Sequence, residues 1–210
     1  MSEIRRVYLQ TAFVVVELLR SPRLAEAWEE ISVLTAFRVR GLAAHLARSI
    51  VQVREYLEAQ ISGQPPITAA SYFARLEGTD DIGSELNMSV RDRGDALADD
   101  GLDALIAAAE KCVEELVGRL DAEPPARRVT VFDHQVMLLD EYLKTRLVEF
   151  VVHAEDLALS IGSGVGLPAD AIRLATDTAV AATRNKHGDL AFLRGLTRRE
   201  RDTDNATRLL

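Results

Sequence analysis

The sequence predicts an all-α fold from two observations. Over several long segments, apolar residues recur every three or four positions, as they do on helices with one buried face. Hydrophobic residues also make up 48% of the 210 residues, which is enough to bury a substantial core without a stabilising disulfide. We therefore expect one helical domain with, at most, a small C-terminal appendage.

The first predicted helix covers Val7 to Leu19 and ends at Ser21-Pro22, because proline cannot continue a helix and the residue before it avoids the α region. Its expected core stripe is Leu9, Phe13, Val16 and Leu19. A short helix over Arg23 to Glu30 follows and carries the only tryptophan, Trp28.

A second long helix is predicted from Val39 to about Gln60, and it contains His45. Its apolar positions repeat at helical intervals: Leu42, Leu46, Ile50, Val53 and Leu57. Proline and glycine predict breaks at Ser62–Pro66 and Gly78–Asp81. From Ile82 to Leu120 the pattern indicates two helices, or one helix broken at Asp99–Gly101.

The last third of the chain begins with a predicted short extended piece at Val129–Phe132. A helix from about Val136 to Ile161 follows, and its largely apolar surface indicates a central position. Pro168 suits the first turn of another helix that reaches about Thr183. A short helix over Gly188–Leu196 precedes a charged tail. We divide the chain into a bundle, residues 1–165, and a helical extension packed on it, residues 166–210.

Charge and cysteine content exclude several classes of protein. A formal net charge of -8 disfavours the phosphate attraction that drives nucleic-acid binding. The single cysteine, Cys112, forms no internal disulfide and lies at a predicted core position. The apolar run Ala12–Leu19 is interrupted by Glu17, lacks a cleavage site and is shorter than the roughly 20 residues that span a bilayer. We expect a cytoplasmic protein that binds neither nucleic acid nor membranes.

Glu149 and His153 are the first candidates for metal ligands. They lie four residues apart on a predicted helix, so their side chains project next to each other. His45 is the natural third ligand because it borders the apolar stripe of another helix, and three protein ligands leave one position of a zinc ion open. Such a pair also occurs by chance on many helices, and a histidine on an apolar face is more often a core residue.

Two segments resemble the mycothiol-dependent maleylpyruvate isomerase family, a branch of the DinB-like helical proteins. The first, FRVRGLAAHLAR, covers Phe37 to Arg48, and the second, YLKTRLVEFVVHAEDLALSIG, covers Tyr142 to Gly162. The resemblance implies a DinB-like four-helix bundle with additional short C-terminal helices. It also implies a divalent metal, held by the matched His45, Glu149 and His153, and mycothiol or a similar thiol as cofactor or co-substrate.

The sequence departs from the family pattern in three places. Phe37 stands where tryptophan is usual, and Arg38 stands where a helix-capping threonine is usual. The fuller C-terminal domain, which helps to form the substrate site of the isomerase, is not expected here. This last departure leaves open how the substrate pocket is formed.

Zinc is the preferred metal, although nickel or another divalent ion suits the same ligands. A thiol that coordinates zinc is deprotonated and can attack a small electrophile. Arg146 is expected to bind a substrate carboxylate and Asp156 to orient a ligand histidine, or the two form an ordinary interhelix salt bridge. Arg91 and Arg93 are weaker candidates, because the run RDRGD is more often a solvated face.

Two functions remain open at this point. The first is a metal-dependent, thiol-using isomerase or transferase that acts on a small electrophile. The second is a non-catalytic metal-binding bundle that serves as a sensor or interaction module. A monomer and a homodimer are compatible with either function.

Overall fold

The structure is a computed structural model that describes residues 1–76, 83–198, 200 and 206–207. Four long helices form a bundle in which α1 and α3 each pack against both α6 and α7. These helices are α1 Glu3–Leu19, α3 Val39–Glu58, α6 Leu102–Ala122 and α7 Leu139–Ser160. The predicted all-α fold is confirmed.

Five shorter or peripheral helices surround the bundle in the described part of the chain: α2 Pro22–Glu26, α4 Ala69–Ala74, α5 Glu85–Ala98, α8 Ala169–His187 and α9 Asp189–Thr197. Helix α5 packs along α3, while α8 packs against α7 and α4. Gly101 separates α5 from α6 with a φ of 90°, which glycine adopts without steric cost. Of the two alternatives for this region, the structure therefore has two helices.

Helix α8 extends the bundle from residue 169 onward and buries Ala171, Ala175 and Ala182. The division at residue 165 stays a prediction. The predicted break at Gly78–Asp81 lies outside the described residues, as does most of the charged tail.

A small sheet corrects the prediction that α7 begins near Val136. Strand β3, Val136–Leu138, pairs in parallel with β1, Pro66–Ile67, and antiparallel with β2, Arg128–Thr130. Val136 and Met137 of β3 are buried, so their hydrophobicity reflects a central strand and not a helix turn. The extended piece predicted at Val129–Phe132 is confirmed at its start, which lies in β2, whereas Phe132 begins a short 3-10 turn.

Two further details of the N-terminal third differ from expectation. Phe13 is 49% exposed, because the buried face of α1 is centred on positions such as Tyr8, Ala12 and Val15. Helix α2 also ends at Glu26, short of the predicted Glu30, and Trp28 lies in the turn that follows.

The core runs through all four long helices and includes Cys112, which is fully buried as predicted. Arg5, only 3% exposed, ties three chain segments together. Its guanidinium donates to the Asp140 carboxylate at 2.7 Å and to the Leu120 and Pro124 carbonyls at 3.0 Å. This network joins the start of α1 to the end of α6 and the start of α7.

No helix within the described ranges is both long enough and apolar enough to cross a membrane.

Candidate functional site

The side chains of His45, Glu149 and His153 meet at one point between α3 and α7. The Nε2 atom of His45 lies 3.1 Å from Oε2 of Glu149, and Nε2 of His153 lies 3.4 Å from the same oxygen. Each residue offers one ligand atom, and the three atoms lie within 4.8 Å of one another. The structure thus brings together the three residues selected from the sequence, while metal binding by them stays a prediction.

Asp156 and Arg146 flank this cluster on α7. Asp156 Oδ2 lies 3.1 Å from Nδ1 of His153, on the side of the ring away from Glu149. A guanidinium nitrogen of Arg146 lies 3.8 Å from Oε1 of Glu149, and the arginine side chain is only 9% exposed. Both positions agree with the expected roles, and those roles stay predictions.

Burial and hydrogen bonding have opposite effects on the pKa values of Glu149 and His153. Burial alone would raise the pKa of Glu149, but its contacts with His153, His45 and Arg146 hold that pKa well below its usual range. Burial lowers the pKa of His45. Burial acts the same way on His153, but its hydrogen bonds to Asp156 and Glu149 raise its pKa to about 9. The carboxylate therefore stays ionised and is balanced by neighbouring cations.

The donor set fits a divalent metal ion. Two imidazole nitrogens and one carboxylate oxygen are a common ligand set for zinc, and ligands about 2.0–2.1 Å from a tetrahedral ion lie about 3.3 Å apart. The separations at Glu149, 3.1 Å and 3.4 Å, are close to that spacing. The contact of Asp156 with Nδ1 of His153 favours the tautomer in which Nε2 carries the free lone pair.

A cavity of about 620 Å³ opens beside the cluster and includes its three side chains in the wall. Helices α3, α4, α5 and α7, the loop before α3 and the turn after β2 contribute to this cavity. Its aromatic lining residues are Phe37, Tyr56, Tyr72, Phe73, Phe132 and Tyr142. A mostly apolar cavity with a few convergent polar groups is typical of a small-molecule site.

Two of the three departures from the family pattern, Phe37 and Arg38, have visible structural consequences. Phe37 lines the cavity, and its ring centroid lies 6.1 Å from that of His45. Arg38 occupies the N-cap position of α3 but makes no side-chain capping bond there. Its guanidinium instead donates to the Glu29 carbonyl.

Gln52 links Arg146 to the tyrosines Tyr142 and Tyr56 by hydrogen bonds. It was not predicted from the sequence as a site residue. Its Oε1 accepts from Arg146 at 3.5 Å and from the Tyr142 hydroxyl at 3.4 Å. Its Nε2 donates to the Tyr56 hydroxyl at 2.9 Å. Burial raises the pKa of Tyr142, so this hydroxyl keeps its proton and acts as a donor.

Helical spacing from His45 is the sequence signal that could have identified Gln52 and Tyr56 as residues of the site. Positions 45, 48, 52 and 56 follow one another by three or four residues and therefore share one face of α3. Arg91 and Arg93 also line the cavity, contrary to the solvated face favoured by their charge-rich run. His134 lies elsewhere, in an exposed turn at a φ of 55°.

Comparison with known protein families gives one match. The model of the mycothiol maleylpyruvate isomerase N-terminal domain matches residues 14–158, a range that includes every residue of the cluster. Comparisons with curated proteins and with solved structures gave no match.

Proposed function

Because the chain belongs to the mycothiol maleylpyruvate isomerase N-terminal domain family, we propose that it is a metal-dependent enzyme that uses a mycothiol-type thiol. Its substrate would be a small electrophile, and the reaction an isomerisation or a thiol transfer. The observation that carries this proposal is the meeting of three ligand atoms within 4.8 Å at the wall of a cavity. The family relation supports a thiol and a small-molecule substrate.

His45, Glu149 and His153 would hold the metal, which we expect to be zinc. Bound zinc with an open position supplies a Lewis acid that deprotonates a coordinating thiol near neutral pH. Asp156 would keep the ring of His153 oriented and fix its tautomer. The cavity beside the ligands gives the thiol and the electrophile a shared, mainly apolar compartment.

Arg146 would bind a carboxylate of the electrophile. Its guanidinium lines the cavity, is nearly buried and is held by Gln52 and Glu149. A planar guanidinium binds a carboxylate through two parallel hydrogen bonds, which would orient the reacting double bond. Burial lowers the pKa of Arg146, but the surrounding tyrosines and Glu149 outweigh it and raise that pKa, so the charge is permanent.

The proposed chemistry is addition of a thiolate to an activated double bond. The sulfur forms a bond to one carbon, and the π electrons move to the adjacent activated position. Protonation there gives a stable thiol adduct. If rotation about the new single bond precedes that protonation, the electron pair of the carbanion re-forms the double bond and expels the thiolate, which gives the geometric isomer and regenerates the thiolate.

Metal content tests the first part of the proposal. Purified wild-type protein is expected to contain about one metal ion per chain, whereas His153→Ala loses most of it and keeps its helical circular dichroism spectrum. His134→Asn is the matched control, because it removes an imidazole in the turn and asparagine tolerates the positive φ. Equal metal content in wild type and His153→Ala would refute the proposed site.

Activity separates an enzyme from a non-catalytic bundle. Zinc-loaded protein is incubated with mycothiol and a panel of activated alkenes, and both thiol consumption and alkene isomerisation are followed. We expect turnover of carboxylate-bearing alkenes, reduced at least about tenfold in Arg146→Gln. No reaction above background for any alkene would favour a sensor or interaction module that binds metal without catalysis.

A further inference from the structure

Three arginines of the cavity wall, Arg48 on α3 and Arg91 and Arg93 on α5, form no ion pair with any residue in the described part of the chain. Their neighbours on α3 behave differently: Arg40 lies 3.6 Å from Glu29, and Arg54 lies 3.4 Å from Glu115. Neither Arg48 nor Arg93 is therefore held in an ion pair by the described part of the chain.

The charges of Arg48 and Arg93 both affect the pKa of the Tyr56 hydroxyl group. Burial raises the pKa of Tyr56, while the positive charges of Arg146, Arg48 and Arg93 lower it. All three arginines and Tyr56 line the same cavity. Because Gln52 donates to the Tyr56 oxygen at 2.9 Å, the hydroxyl proton of Tyr56 remains available for another acceptor.

Arg48 and Arg93 carry like charges in the wall of one cavity, which favours the binding of an anion there. Burial and the charge of Arg48 both lower the pKa of Arg93, the direction expected for a guanidinium that is partly desolvated next to a like charge. Arg93 donates one hydrogen bond to Ser89, which leaves other N–H groups free. Such an excess in a protein of net charge -8 is a local feature and does not reflect overall composition.

Apolar residues of α4 and its C-terminal end lie in the same cavity. Tyr72 and Phe73 are buried, and Leu76 packs partly buried beside them. A ligand whose charged group reaches the arginines would place carbon atoms against these side chains. An organic acid with an apolar skeleton meets both requirements.

We propose that Arg48, Arg93 and the Tyr56 hydroxyl form an anion-binding subsite that receives an organic acid with an apolar skeleton. The anionic group is a carboxylate or a phosphate, since guanidinium binds both. That this acid is the substrate rests on the proposed function. Binding of the anion itself does not, because the subsite contains none of the proposed metal ligands.

Isothermal titration calorimetry on the 210-residue chain tests the subsite. The probes are benzoate, phenyl phosphate and the neutral benzyl alcohol, each measured with added zinc chloride and again after dialysis against EDTA. We expect at least one of the two anions to bind more tightly than benzyl alcohol under both conditions. The preference between benzoate and phenyl phosphate identifies the anionic group.

Variants on two separate helices locate the binding. Arg48→Gln and Arg93→Gln should each weaken the preferred anion about tenfold, the loss expected for one charge-assisted hydrogen bond. Binding of benzyl alcohol should not change. Arg54→Gln is the matched control, because it removes the same charge from α3 at a residue paired with Glu115, and it should alter affinity less than about twofold. If either Arg48→Gln or Arg93→Gln does not fold, the affinity of the other variant tests the subsite.

Three outcomes would contradict the proposed subsite. These are no binding of either anion, equal affinity for the anions and benzyl alcohol, and unchanged anion affinity in both Arg48→Gln and Arg93→Gln. Loss of anion binding after EDTA treatment would also overturn it, since that result would place the anion on the metal. Tight anion binding in a protein without thiol activity would retain the subsite and reject only its assignment to a substrate.

Discussion

Glu149 joins both histidines of the site through a single carboxylate oxygen. Its Oε2 lies 3.1 Å from His45 and 3.4 Å from His153, while its Oε1 faces Arg146 at 3.8 Å. A buried carboxylate is unfavourable unless it is paired, and these contacts supply the pairing. The same separations leave the three ligand atoms where one ion can reach all of them.

The contact between Asp156 and His153 leads to a prediction about metal affinity. Asp156→Asn keeps the shape of the side chain but removes the charge that favours a proton on Nδ1, and an amide that donates to Nδ1 would favour the wrong tautomer. We expect zinc affinity to fall by about 10- to 100-fold, measured by competition with a chromophoric chelator.

Glu155→Gln provides the control for this measurement, because it removes an equal charge from the exposed neighbouring position. Its zinc affinity should match that of the wild type. If Asp156→Asn also bound zinc as the wild type does, the orienting role of this carboxylate would be excluded.

At the scale of elements, two helices present matching faces to the cavity. On α7, residues 146, 149, 153 and 156 fall within about 80° of one another around the helix axis. On α3, residues 45, 48, 52 and 56 span a similar angle. The packing of α3 against α7 brings these faces together, so each helix contributes both a proposed metal ligand and an arginine to one wall.

The close approach of α5 to α3 positions the arginines of the cavity. A Cβ added at Gly94 would lie 2.9 Å from the Gly41 carbonyl oxygen, which belongs to the rigid backbone of α3. The two helices can therefore approach this closely only because residue 94 has no side chain. Arg93, the neighbouring residue, depends on the same approach for its place in the wall.

Substitution of Gly94 by alanine tests this packing. We expect Gly94→Ala to lower the free energy of unfolding by about 1–3 kcal/mol, since α5 must move away from α3. Urea denaturation followed by circular dichroism measures the effect. Gly118→Ala is the control: this glycine lies on α6 with no atom near its hypothetical Cβ, and alanine should stabilise the helix by about 0.5–1 kcal/mol. Equal effects of the two substitutions would contradict the close-packing argument.

At the scale of the whole molecule, the four long helices share one core that does not involve the proposed metal ligands. Fully buried members include Tyr8 and Phe150, whose rings stack at 5.3 Å, and Leu116 of α6. Arg5 adds polar contacts that join the start of α1 to the end of α6 and the start of α7. Apolar burial on this scale is sufficient for a domain of this length to fold without an ion.

The fold should therefore persist without metal, and metal should add stability. After dialysis against EDTA we expect the helical circular dichroism spectrum to remain, and zinc at about 100 times its Kd should add about 2.7 kcal/mol of stability. Thermal denaturation with and without zinc measures this change, and His153→Ala should show no zinc-dependent shift in Tm. Unfolding of the wild type by EDTA at room temperature would show instead that the bundle requires the ion.

The sequence alone determined the properties that depend on local periodicity. Apolar repeats predicted α1, α3, α6 and most of α7, because burial of one helical face imposes a period near 3.6 residues. The separation of Glu149 and His153 determined that their side chains project together. The place of His45 beside the apolar stripe of another helix made it the candidate third ligand, and the resemblance of two segments to a family supported that choice.

Tertiary structure decided everything that depends on contacts between distant segments. The run starting at Val136 is equally apolar in a helix turn or in a central strand, and only its pairing with β1 and β2 made it a strand. Phe13 has the spacing of a core residue, yet its neighbours leave it exposed. Arg48 and Arg93 are ordinary charged residues in their own helices, and only the approach of α5 to α3 places both on one cavity, because long-range packing has no signature in local spacing.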